Sequence, residues 1–229
     1  MMLSAVPPVL EPPRSAPRSH PSWPGWPVAA AAATGVLVHL ACGNSYGLLR
    51  DEMYFLACGR HLAFGYVDQP PVVPVLARLA AATFGPTPMG LRIPAYLAHA
   101  GTVWATALLA GRFGGSPRAR LVAAVLTLVA PGFLGGGHLL TMSSVEPLLW
   151  TGVLLGVLRA LDGDRRGGWL MVGACVGIGL LTKYSMAFWV MALLAGLLAT
   201  QARRVLATAC REIRRHCSGS PDVRPACRG

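Results

Sequence analysis

YGLLRDEMYFLACGRHLAFGYVDQPP, residues Tyr46–Pro71, interrupts a chain that otherwise alternates apolar runs with short basic loops. It carries three of the nine acidic residues, Asp51, Glu52 and Asp68. Carboxylates beside a bilayer are costly unless they are hydrated, paired or used. Asp51 to Phe64 is rich in helix formers and has no Gly or Pro before Gly59. It predicts a short helix, too polar to span and too apolar to float free, lying in the membrane interface. Gly65 is its expected C-terminal cap, and Asp68-Gln69-Pro70-Pro71 forces a turn or extended segment. Val72 to Phe84 is shorter than the ~20 residues a span needs and reads as a second interfacial or re-entrant helix.

On either side of this loop the chain reads as membrane. Hydrophobic residues make up 54% of the 229 and charged residues only 13%, which argues against a soluble protein. Six spans are expected: Val28–Cys42, Gly90–Phe113, Leu121–Leu134, Pro147–Leu161, Trp169–Leu181 and Tyr184–Thr200. The third should end where Gly135-Gly136-Gly137 interrupts helix. The fold class is therefore an all-α polytopic membrane protein, with interfacial helices in the first outer loop, residues 43–89. Residues 1–27, rich in Pro, Ser and Arg, read as a disordered cytoplasmic tail without a signal peptide. Residues 201–229 read as a basic cytoplasmic tail, or as a truncated or frame-shifted end.

The net charge of +11 does not imply nucleic-acid binding, because the basic residues sit in short loops and tails and form no stripe with interleaved aromatics. Their distribution follows the positive-inside rule, with Arg-bearing loops after spans two, four and six. Arg50, Arg60 and Arg78 in the first outer loop, and Arg92 at the outer end of the second span, run against that rule, and anionic headgroups or a lipid phosphate would account for them. Asp51, Glu52, Asp68 and Glu146 sort to the outer side, whereas Asp162 and Asp164 pair with arginines inside. The six cysteines show no CxxC spacing and read as small apolar residues or free thiols.

Several residues have both a structural and a chemical reading. Asp51 and Glu52 can cap a helix and complement its dipole. Asp51 at a water–lipid boundary can also act as a general base toward an acceptor hydroxyl. Glu52, on another face, would orient the helix or bind a cation. Glu146, preceding Pro147, is expected outside the helix that follows. Lys183 is the only lysine beside nineteen arginines; it either snorkels to headgroups or stabilises a departing phosphate. His39 reads as a satisfied bundle residue. His138 and His61 could join Asp68 or Glu146 around a divalent cation, although their spacing is not diagnostic.

YGLLRDEMYFLACGRHLAFGYVDQPPVVPVLARL, LLTMSSVEPLLW and GLLTKYSM, in that order, resemble bacterial glycosyltransferases of the protein-mannosyltransferase type, a group that includes the lipid A aminoarabinose transferase and shares the GT-C membrane fold. The similarity covers about residues 28–200. It implies an inverting enzyme of the bacterial inner membrane that takes a sugar from a polyprenyl-phosphate donor to a lipid, glycan or protein acceptor on the periplasmic side. By resemblance Asp51 is the catalytic base, Lys183 contacts the donor phosphate, and Glu146 of the second outer loop helps form the active site; Glu52 is counted with Asp51 and Glu146 among the catalytic residues. Arg50 and Arg60 are assigned to the donor phosphate, and Asp68, Gln69, Tyr66 and His138 to positioning substrate. Gln69 and Ser144 depart from the pattern, standing where relatives often carry a basic residue and an Asn. The alternatives are a transporter or flippase-like protein, and an inactive fragment corresponding to the N-terminal half of a transferase.

Overall fold

The structure is a computed structural model and describes residues 25–200. The two tails lie outside the described residues, apart from a few residues at the inner edge of the first. Among the described residues there are nine α-helices and no strand: α1 Trp26–Cys42, α2 Arg50–Arg60, α3 Val72–Phe84, α4 Pro88–Arg112, α5 Pro117–Val129, α6 Pro131–His138, α7 Met142–Leu161, α8 Arg165–Leu180 and α9 Ser185–Ala199. Each expected span coincides with one helix, except the third, which is the pair α5–α6. By length and apolar composition α4 and α7 suffice to cross a membrane, and α5–α6, bent by 57°, makes a third broken span. Helices α1, α3 and α9 are apolar but shorter.

The element boundaries depart from the sequence expectation at three places. Helix α2 stops at Arg60 rather than Phe64, and its cap is His61 (φ −125°, ψ 75°), not Gly65. The Tyr66 hydroxyl takes over there. It lies 3.0 Å from the Cys58 carbonyl and 3.1 Å from that of His61, and it accepts from the Ala63 N–H. The third span breaks at Ala130–Pro131, while the three glycines stay helical to His138. Pro131 lacks an N–H and holds Ala130 extended (φ −61°, ψ 124°), so the interruption falls at the proline. Gly137 is needed inside the helix, because a Cβ there would lie 2.6 Å from His99 Cβ.

The third departure concerns Glu146, which is helical. Helix α7 begins at Met142, with Thr141 extended as N-cap and Ser144 Oγ accepting from the Thr141 N–H at 3.3 Å. Pro147 sits one turn further in, where its missing N–H leaves only the Ser143 carbonyl without its helical partner.

Helix α4 is the hub and packs on α1, α3, α5, α6 and α7. Phe55, Val73, Ala77, Leu91 and Leu140 form the core under α2 and α3, and Val28, Val103, Ala107 and Ala124 join α1, α4 and α5. Helices α7 and α8 meet through small residues: a Cβ on Gly168 would lie 2.5 Å from Ala160 N, and one on Gly156 would lie 2.9 Å from Gly168 O. Such close backbone approach is the usual basis of helix association where lipid supplies no hydrophobic drive. At one end of the bundle Arg112 pairs with Asp162 and Arg159 with Asp164, as the sequence pairing anticipated. The remaining candidate carboxylates lie toward the other end.

Candidate active site

Helical geometry separates the Asp51–Glu52 pair, since adjacent residues point to different faces. The Asp51 side chain is 60% exposed and 3.5 Å from the exposed Arg50 guanidinium. Glu52 is fully buried. It receives Arg92 Nε at 2.7 Å and Nη2 at 2.8 Å in a two-pronged pair, together with the Leu49 N–H at 3.0 Å and the Leu140 N–H at 3.3 Å. Arg92 gives two of its three remaining N–H donors to the Gly43 and Gly47 carbonyls, both at 2.9 Å, and its guanidinium lies 4.6 Å from the Tyr46 ring centroid. Glu52 is thus closed off from substrate. It ties the start of α2 to α4, to the end of α1 and to the approach to α7, and Asp51 is left facing solvent.

The second cluster forms where α7 starts and α8 turns into α9. Glu146 is nearly buried, and Ser185 donates to its Oε1. Lys183 Nζ reaches Glu146 Oε2 at 3.3 Å and Ser143 Oγ at 3.2 Å, with its side chain 39% exposed. An ammonium has three donors, and two are engaged here. A buried carboxylate therefore holds a half-exposed cation with one N–H uncommitted among the described residues, an arrangement suited to receiving an anion. The Leu181 carbonyl accepts from the Val72 N–H at 3.1 Å, which fastens the α8–α9 turn to the start of α3. Beside this junction opens a cavity of about 410 Å³, walled by Leu62, Phe64, Pro71, Val72, Val75 and Leu181. Its lining is apolar.

The other candidates are dispersed around these clusters. Asp68 accepts from the Tyr54 hydroxyl at 2.7 Å, and the carboxylate pushes that phenol well above its ordinary range. Tyr66 completes the end of α2. Gln69 is buried, with its Oε1 unpartnered and its Nε2 3.8 Å from Cys58 Sγ. Arg60 lines a groove that shares no lining residue with the apolar cavity. His138 joins His39 and His99: His39 Nδ1 is 3.1 Å from His138 Nδ1, and His39 Nε2 is 2.8 Å from His99 Nδ1. His138 and His61 therefore do not meet Asp68 or Glu146. Among the described residues no group of three or more His, Cys, Asp or Glu is placed to hold a metal ion.

The sequence reading missed Ser143 and Ser185 as partners of the lysine–glutamate pair. Ser143 stands one helical turn before Glu146, a spacing that signals a shared face once both are known to be helical.

A family model described as dolichyl-phosphate-mannose-protein mannosyltransferase matches residues 68–212. The chain belongs to that family. Among curated proteins it is similar to undecaprenyl phosphate-alpha-4-amino-4-deoxy-L-arabinose arabinosyl transferase 1 of Pseudomonas fluorescens, at 29% identity over 160 residues, covering 66% of this chain and 28% of that protein. The corresponding transferases of Pseudomonas savastanoi pv. phaseolicola and Pseudomonas aeruginosa are 30% identical over 131 residues and 31% over 141. Those matches cover 54% and 59% of this chain, and 24% and 25% of the relatives. The chain spans about a quarter of the length of the curated relatives it matches. No solved structure matches it. The matched region contains Asp68, Gln69, Glu146 and Lys183, and the helix bearing Asp51 precedes it. The described residues, helical and without strands and carrying apolar spans, agree with the GT-C-type membrane fold that the resemblance implied.

Proposed function

We propose that this chain serves a membrane glycosyltransferase that moves a sugar from a polyprenyl-phosphate donor to a lipid, glycan or protein acceptor at the periplasmic face of the bacterial inner membrane. The observation that carries the reading is the Lys183–Glu146 pair, a half-exposed ammonium seated by a buried carboxylate, two residues along the chain from Leu181 in the wall of an apolar cavity. A lipid phosphate needs both features, a fixed positive charge for its headgroup and an apolar wall for its chain. The names of the curated relatives, which include undecaprenyl phosphate, support the donor class.

In this reading the Asp51 carboxylate removes the acceptor hydroxyl proton as the acceptor oxygen bonds to the anomeric carbon. The bond from that carbon to the phosphate oxygen breaks, and the electron pair leaves with the phosphate. Lys183 stabilises the charge that develops there. Attack from the side opposite the leaving group inverts the anomeric centre. Arg50, 3.5 Å from Asp51, orients the base, while Glu52 and Arg92 fix the helix that presents it. Glu146 acts through Lys183 as a positioning residue.

The test is transfer of label from a polyprenyl-phosphate sugar in membranes carrying this chain. Asp51→Asn should lower the rate by at least about 100-fold, the lower end of what general-base catalysis contributes. Unchanged transfer in that variant removes Asp51 from the base role. Label accumulating inside vesicles with no donor consumed would replace the enzyme by a transporter.

A further inference from the structure

Helices α2 and α3 cross at a glycine. A Cβ on Gly59 would lie 3.0 Å from the Pro74 carbonyl oxygen, 3.2 Å from Arg78 N and 3.4 Å from Arg78 Cβ, so the two backbones touch. This contact sets Arg60 and Arg78, both exposed, along one groove of about 390 Å³ whose other walls are Leu56, Gly59, Ala81 and Pro86. No carboxylate lines the groove. Neither guanidinium forms an ion pair among the described residues, whereas Arg50, Arg92, Arg112 and Arg159 each have an acidic partner. Exposed Phe84 stands one helical turn beyond Ala81 on α3 and exposed Met53 one turn before Leu56 on α2, so the two charges sit at a border between apolar and polar surface. That border is where amphipathic helices meet lipid headgroups.

Two like charges brought together without a counter-charge repel one another, and an anion between them removes that penalty. Guanidinium groups suit phosphate oxygens because their donors form a planar fork. We infer that the α2–α3 groove binds the phosphodiester of an anionic phospholipid from the surrounding leaflet, held by Arg60 and Arg78 with its acyl chains running past Phe84. The site is separate from the one that faces Lys183, and it anchors the hairpin that presents Asp51. It therefore stands whether or not the chain transfers a sugar.

The experiment measures binding of phosphatidylglycerol to the full chain in phosphatidylcholine nanodiscs by native mass spectrometry. Arg60→Gln and Arg78→Gln should each weaken binding about fivefold, and the double variant roughly 25-fold, at about one surface-charge increment per arginine. Arg118→Gln, an exposed arginine on α5, should leave binding unchanged. Equal binding by wild type and a double variant of unaltered melting temperature overturns the inference. So does an equal loss in the Arg118 variant, which would mean nonspecific attraction. Displacement of the lipid by inorganic phosphate at comparable concentration would make this a free-phosphate site and overturns the headgroup assignment. Should the double variant fail to fold, the single variants carry the same comparison.

Discussion

Replacing Arg92 by Met probes the buried pair that ties α2 to α4. The Arg92 side chain is fully buried and Glu52 is 1% exposed, so removal of the cation leaves a carboxylate with no counter-charge and no access to water. Breaking a buried pair in this way costs about 3–5 kcal/mol. The Gly43 and Gly47 carbonyls lose their donors as well. For a chain of this size about 1 kcal/mol moves the melting temperature by roughly 2–4 °C, so Arg92→Met should lower it by about 6–20 °C. The assay is thermal unfolding of the detergent-solubilised protein followed by tryptophan fluorescence, in a double-mutant cycle with Glu52→Gln. Glutamine keeps the shape of Glu52 and removes its charge, so the double variant should lose less than the two single losses added together. Coupling between groups in one network is typically about 0.5–3 kcal/mol. A shift below about 2 °C for Arg92→Met, or strict additivity in the cycle, would refute the idea that this pair holds α2 in place.

Three further outcomes are expected. Gly137→Ala should destabilise by about 1–3 kcal/mol because its Cβ would collide with His99, whereas Gly135→Ala, with nothing within 4 Å, should stabilise by about 0.5–1 kcal/mol; equal effects in thermal unfolding would dismiss the close α4–α6 contact. The Arg159 guanidinium, and then the Gly167 N–H, hold the Asp164 carboxyl below its ordinary range. Its pairing therefore contributes stability above about pH 4 that is lost as the pH falls through the lower folded value. Between about pH 5 and pH 3 the melting temperature of wild type should fall more than that of Asp164→Asn, and parallel curves would exclude this pair as a source of acid sensitivity. Lys183→Gln should reduce sugar transfer about 100- to 1,000-fold, the range for loss of one charge-stabilising donor, while Ser185→Ala, which leaves the ion pair intact, should reduce it far less. Similar losses in both would place the serine, rather than the ammonium, at the phosphate.

Composition and periodicity were enough for the class and the helix order, because apolar runs of helical length have few other folds open to them. The boundaries that failed are local. Pro131, not the three glycines that follow it, breaks the helix, and Pro147 is absorbed one turn inside α7, since a proline near a helix start disturbs a single hydrogen bond. The individual chemical residues were also legible: Asp51, Glu146 and Lys183 stand out as charges on an apolar background. What the linear order could not assign was their company. Glu52 and Arg92 are forty positions apart, as are Ser143 and Lys183, and Glu146 meets Lys183 across thirty-seven. Helical spacing already set Asp51 and Glu52 on different faces, but only packing around α4 decided that the first stays in water and the second is sealed against a guanidinium. A charge in a sequence has no dielectric surroundings until the helices close over it, and those surroundings distinguish an accessible carboxylate from a structural one.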